Sequence, residues 1–123
     1  MTVARILAIK GRNVVTAEPH LTLREAADIL CRNRIGAVVV AGPALEVLGI
    51  LSERDIVRAV SAGGGGALND QVAKHMTAKV ITATEDQPID KTMSVMTESR
   101  IRHLPVLGDG KLIGVISIGD VVK

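Results

Sequence analysis

The chain has 123 residues, 47% of them hydrophobic and 23% charged, with a formal net charge of +2. That length allows one compact unit or two very small ones sharing a core, and the charge is too small to argue for nucleic acid or a membrane surface. Phe, Tyr and Trp are absent, so the core must be built from Val, Ile, Leu, Ala and Met, and the stacking platform of a single-strand nucleic-acid binder is missing.

Residues 1–9 are short and followed by charge, unlike a signal peptide. No apolar run approaches the roughly 20 residues that span a bilayer. Arg5, Lys10 and Arg12 form no basic block and read as solvated charges. Residues 14–16 are a β-branched run that predicts a strand. Thr22 is the predicted N-cap of the next helix, and Glu25 completes a capping box. Leu23, Ala26, Ala27, Leu30 and Cys31 share the stripe expected to be buried. Cys31 is the one cysteine; a disulfide framework is excluded and a reducing cytoplasm is the expected compartment. Strands are predicted at 37–41 and 47–51 around a Gly42-Pro43 turn, and Ser52 leads into a helix over 53–62. The run Ala62-Gly63-Gly64-Gly65-Gly66-Ala67 predicts a flexible connector. It is no phosphate loop, because no Gly-Lys-Ser/Thr follows.

The same string of elements then recurs. Residues 80–82 predict a strand, and Pro88 suits the first turn of a helix that carries Ile89, Met93 and Met96 at apolar spacing. Strands at 104–107 and 112–116 flank Gly108-Asp109-Gly110, a hairpin signal. Ser117 opens a last helix, a stub or a truncated one, ending at Lys123. A shift of 66 residues lays Val14, Thr16, Ala17, Arg34 and Ile35 on Val80, Thr82, Ala83, Arg100 and Ile101. A shift of 65 lays Gly49, Ser52, Asp55 and Val57 on Gly114, Ser117, Asp120 and Val122. The chain is an internal duplication. Its repeats are expected at residues 1–62 and 68–123, joined by a Gly-rich linker at 63–67.

Each repeat carries Gly-x-x-Ser-x-x-Asp: Gly49, Ser52 and Asp55, then Gly114, Ser117 and Asp120. A glycine inside a strand often marks close approach by another group. A hydroxyl and a carboxylate at a helix start sit where orphan backbone N–H groups favour anions. Such a carboxylate can accept both hydrogens of a ribose diol. Ser-x-x-Asp also has the form of a capping box, in which the Asp returns to the Ser backbone N–H, and both roles can coexist at one serine. On the phosphate side stand Arg54, Arg100, Arg102 and His103, since a guanidinium fork matches phosphate oxygens. Arg100 reads equally as a solvated residue at a helix end. Arg54 aligns with Gly119, and Arg102-His103 with Gly36-Ala37, so the two sites are expected to be chemically unequal.

The sequences Gly-Ile-Leu-Ser-Glu-Arg-Asp at 49–55, Arg-His-Leu-Pro-Val at 102–106 and Gly-Val-Ile-Ser-Ile-Gly-Asp at 114–120 resemble those of a CBS-domain pair, named for cystathionine β-synthase. The resemblance covers residues 14–122. It implies an α/β fold of α+β type: two tandem βαββα repeats related by pseudo-two-fold symmetry, with two clefts between them. It implies an adenine nucleotide (AMP, ADP, ATP or NAD(H)) or S-adenosylmethionine as ligand, and a non-catalytic regulatory module acting on another, unidentified protein. Ser52, Asp55, Ser117 and Asp120 would hold ribose. Thr16, Ala37, Val38, Thr82 and Leu104 would meet the base, largely through backbone groups. A homodimer is expected, with Ile56, Val57 and Val60 offering an apolar helix face; a dimerisation element with vestigial pockets is the competing reading. No catalytic residue is assigned, because no general base faces an evident electrophile. No metal site is assigned either, because His20 and His75 lack a partner at ligand spacing.

Overall fold

The computed structural model describes residues 1–122. The chain packs as two compact units, one formed by residues 15–80 and the other by 1–14 together with 81–123. Packing units and sequence repeats do not share boundaries. The first 14 residues belong with the second repeat, and the segment after the first repeat folds back onto that repeat.

The 15–80 unit contains β1 (Thr16–Ala17), α2 (Leu23–Asn33), β2 (Ala37–Ala41), β3 (Val47–Ser52), α3 (Glu53–Gly63), a 3₁₀ helix (Gly65–Asn69) and α4 (Val72–His75), with α1 (Val3–Lys10) preceding it in the chain. Its sheet runs β1-β2-β3, parallel and then antiparallel. The central strand β2 is buried on both faces at Val38, Val39 and Val40, as a continuous apolar run requires. At the start of α2 the Thr22 hydroxyl accepts the Glu25 N–H, and the Glu25 carboxylate accepts the Thr22 N–H, each at 3.1 Å. This is the expected capping box. Leu23, Ala26 and Leu30 are buried as expected.

Four local expectations are corrected. The first strand is Thr16–Ala17, not 14–16, because parallel pairing with Val39 and Val40 sets its register. The corresponding strand of the second repeat is Ala83–Thr84, not 80–82, paired with Val106 and Leu107. Cys31 is exposed, since the apolar stripe of α2 narrows to Leu30 at its last turn. The Gly-rich connector is folded: α3 continues through Gly63, and residues 65–69 form the 3₁₀ helix. The reason is apolar. Ala67 joins the buried core beside Leu23 and Val72, and Leu68 packs on it.

The other unit holds α1, β4 (Ala83–Thr84), α5 (Ile89–Ser99), β5 (His103–Gly108), β6 (Lys111–Ser117) and α6 (Ile118–Val121), with sheet order β4-β5-β6. Asp109 and Gly110 close the hairpin with φ of 52° and 76°, the positive pair a two-residue type I′ turn needs. Its core is Val3, Ile6, Leu7, Ala83, Met96, Leu104, Val106 and Ile116. Helix α1 is anchored there through its backbone: Val3 N–H donates to the Gln87 carbonyl at 3.0 Å and Ala4 N–H to that of Glu85 at 2.9 Å.

Candidate functional site

In the 15–80 unit the site begins where β3 becomes α3. Ser52 is the N-cap, in extended backbone, and its hydroxyl accepts the Asp55 N–H at 3.3 Å. The Asp55 carboxylate accepts the Ser52 N–H at 2.8 Å and its hydroxyl at 3.1 Å. The capping arrangement is therefore formed. Asp55 also receives Arg58 of its own helix at 3.2 Å, while the Asp55 side chain is only 11% exposed. Ala37 lies directly across the sheet from Ser52, Val38 follows it opposite Leu51, and Thr16 sits one strand further on, opposite Val39. The Val38 side chain is in the core, so that residue has only backbone to offer. Arg54 is exposed in the first turn of α3.

The glycine of the motif has a packing role. A β-carbon on Gly49 would lie 2.6 Å from Met76 Sδ and 2.9 Å from the Thr77 carbonyl oxygen. The chain around Thr77 is bonded to β3 in both directions, Ile50 N–H to Thr77 O and Thr77 N–H to Ile50 O, each at 2.9 Å. The group that approaches this glycine is thus the chain's own segment after α4.

In the other unit Ser117 caps α6, and the Asp120 carboxylate accepts the Ser117 N–H at 2.8 Å. His103 lies across the sheet from Ser117, and Leu104 lies opposite Ile116. The Arg102 carbonyl accepts the Ile118 N–H at 2.8 Å, matching the Gly36 carbonyl that accepts Glu53 N–H at 2.9 Å. Arg100 is the exposed C-cap of α5, at φ 55°, and Arg34 caps α2 in the same way at φ 54°. Leu104 is fully buried, again leaving only its backbone. Thr82 is exposed and precedes β4. Among the described residues neither Thr82 nor Arg100 bonds to Ser117 or Asp120.

Lys10, which the sequence reads as a solvated charge, is paired. Its ammonium donates to Asp120 Oδ2 at 2.6 Å and to the Val115 carbonyl at 2.8 Å. Burial pushes the Asp120 carboxyl up, but the Lys10 hydrogen bond, the Ser117 N–H and the Lys10 charge together hold it below the ordinary carboxylate value. No local signal could have found this pair, because its members stand 110 residues apart.

His75 Nε2 lies 2.8 Å from Asp70 Oδ2, tying α4 to the 3₁₀ helix. Among the described residues no group of three His, Cys, Asp or Glu side chains is placed to hold a metal ion. No helix among them is long and apolar enough to cross a membrane. An open apolar cavity of about 540 Å³ lies between α2 and α3, lined by Leu30, Ile35, Ile56 and Val57 among others.

The family model described as CBS domain matches twice, over residues 6–62 and 71–123. A CBS-domain protein of Agrobacterium tumefaciens has the same fold, with TM-score 0.95 and 44% identity over 99% of this chain and 97% of that one. The Pyrobaculum aerophilum CBS domain protein complexed with AMP shows TM-score 0.86 and 30% identity, over 98% of this chain and 89% of that one. A CBS-domain pair in complex with 5′-methylthioadenosine and S-adenosyl-L-methionine gives TM-score 0.88 and 27% identity, over 98% and 92%. The mitochondrial CBS-domain protein CBSX3 of Arabidopsis thaliana is 37% identical over 99% of this chain, which spans 63% of that relative's length.

Proposed function

Since the chain belongs to the CBS-domain family, we propose that it binds an adenine nucleotide through the Ser-x-x-Asp corner of each repeat and passes its ligand state to a partner protein. CBS repeats are non-catalytic regulatory modules, and the chemistry asked of these residues is recognition alone. The observation that carries the reading is a largely buried carboxylate, held 2.8 Å from a serine N–H at a strand–helix junction, occurring once in each repeat. A cap needs only one carboxylate oxygen, so the same carboxylate can still receive a ribose diol.

In this reading Asp55 and Asp120 receive the ribose hydroxyls, with Ser52 and Ser117 beside them. Arg54 serves the phosphate of the first site; Arg100, Arg102 and His103 serve that of the second. Thr16, Ala37 and Val38 meet one base and Thr82 and Leu104 the other, the buried Val38 and Leu104 through backbone groups only. AMP, ADP, ATP, NAD(H) and S-adenosylmethionine are the ligands to test. The AMP and adenosyl complexes of the similar pairs support that class. Isothermal calorimetry with each compound is the direct experiment. Binding should raise the melting temperature by mass action, and Asp55→Ala and Asp120→Ala should each remove one site while leaving the chain folded. No heat and no thermal shift from any of the five would refute the reading. Lower stability with unchanged affinity would leave the aspartates as caps alone.

The chain is also read as a homodimer. Val57 is 66% exposed at the edge of the apolar cavity on α3, a face that a second copy could cover. Light scattering at micromolar concentration should give twice the chain mass, and Val57→Glu should give the monomer. A dimer that binds none of the five ligands would favour the purely structural module.

A further inference from the structure

We propose that Lys10 is an internal occupant of the Asp120 carboxylate, displaced when a ligand's sugar diol takes that position, and that it therefore sets the affinity of the second site. This inference rests on the nucleotide reading above and adds a residue that the motif does not contain.

Helix α1 docks against β6. Backbone bonds to Glu85 and Gln87 fix its first turn, and Leu7 fits against Gly114 on β6. Its last residue, Lys10, is thereby carried to the end of β6, where the ammonium bonds the Val115 carbonyl and Asp120 Oδ2 together. Oδ2 is the same oxygen that accepts the Ser117 N–H. A diol that claims both carboxylate oxygens must compete with a charge-assisted hydrogen bond.

The first repeat offers the control. Ile50 is the counterpart of Val115, and its carbonyl accepts a backbone N–H, that of Thr77, at 2.9 Å. Among the described residues no cation of that segment is paired with Asp55. Asp55 is paired instead with Arg58 of its own helix, whose side chain is 73% exposed and can swing into water. Lys10 is half as exposed, at 35%, and is held at two points.

The experiment uses the full chain with Asp55→Asn, so that only the Asp120 site is read, and titrates AMP and adenosine by calorimetry. Lys10→Met removes the ammonium and keeps the aliphatic stem; Lys10→Gln keeps a donor for the Val115 carbonyl without the charge. Both should tighten AMP and adenosine by about two- to fivefold, the range of a partly exposed ion pair. Unchanged affinity in both variants overturns the inference and leaves the nucleotide reading standing. Weaker AMP with unchanged adenosine also overturns it, and makes Lys10 a phosphate contact. Loss of all binding in the Asp55→Asn parent, when the wild type binds, removes the Asp120 site and this inference with it. No binding even by the wild type refutes both readings.

Discussion

Leu7 of α1 fills the space that a side chain on Gly114 would need: a β-carbon there would lie 2.7 Å from Leu7 Cδ2. At the matching glycine of the first repeat, part of the obstacle is backbone. The Thr77 carbonyl stands 2.9 Å from a β-carbon on Gly49 and is held by the Ile50 N–H. The far end of a leucine can yield, whereas a bonded carbonyl cannot. Gly49→Ala should therefore destabilise more than Gly114→Ala, both within the roughly 1–3 kcal/mol of overpacking. Urea denaturation of the two variants checks the order. In a Leu7→Ala background, Gly114→Ala should lose most of its cost.

Ser52 caps an 11-residue helix through a bond to Asp55 N–H. Ser52→Ala should lower stability by about 1 kcal/mol, the usual worth of such a cap. Ser52→Thr should restore most of it. Chemical denaturation gives the stability, and the same samples titrated with AMP separate capping from ligand contact.

Among the described residues three carboxyls lie below their ordinary values. Glu25 is held down by the Thr22 backbone N–H and then by the Thr22 hydroxyl, and Asp70 chiefly by its hydrogen bond to His75. At Asp120, burial pushes upward but the Lys10 and Ser117 bonds outweigh it. A depressed folded value means that the unfolded chain takes up protons first as pH falls. The stability these groups supply is present above the unfolded carboxyl range of about 3.9–4.3 and is lost as pH falls through their lower folded values. A melting series from pH 6 to pH 2.5 should show that decline. Asp120→Asn should flatten it, and Lys10→Met should reduce the Asp120 share.

Arg34 ends α2 at φ 54°, a conformation that costs a residue bearing a β-carbon. Arg34→Gly should raise stability, read from the denaturation midpoint, by up to about 1 kcal/mol once glycine's extra chain entropy is set against the relieved strain. A fall in the midpoint would mean that the guanidinium's favourable position at the helix C-terminus outweighs the strain.

Cys31 should react with a thiol reagent in the Val57→Glu monomer as fast as in denaturant, because it is exposed in the single chain. Cys31→Ser should change stability by less than about 0.5 kcal/mol. Slow native labelling would put the thiol in a covered surface, such as the proposed dimer contact beside Leu30 and Val57.

The sequence by itself determined the duplication, the order of elements in each repeat and the Ser-x-x-Asp corners. Those features are local: they follow from period, cap residues and turn residues within a dozen positions of one another. Thr22 with Glu25, and Asp109 with Gly110, show it. Tertiary structure alone decided the register of the two short strands, the docking of the Gly-rich segment through Ala67, and the exposure of Cys31. Two residues of strand hold no pattern to read, and one buried alanine outweighs four flexible glycines only once a core exists to receive it. The same holds for Lys10. Its partner is 110 residues away, and only the anchoring of α1 beside β6 turns a charge that read as solvated into the occupant of Asp120.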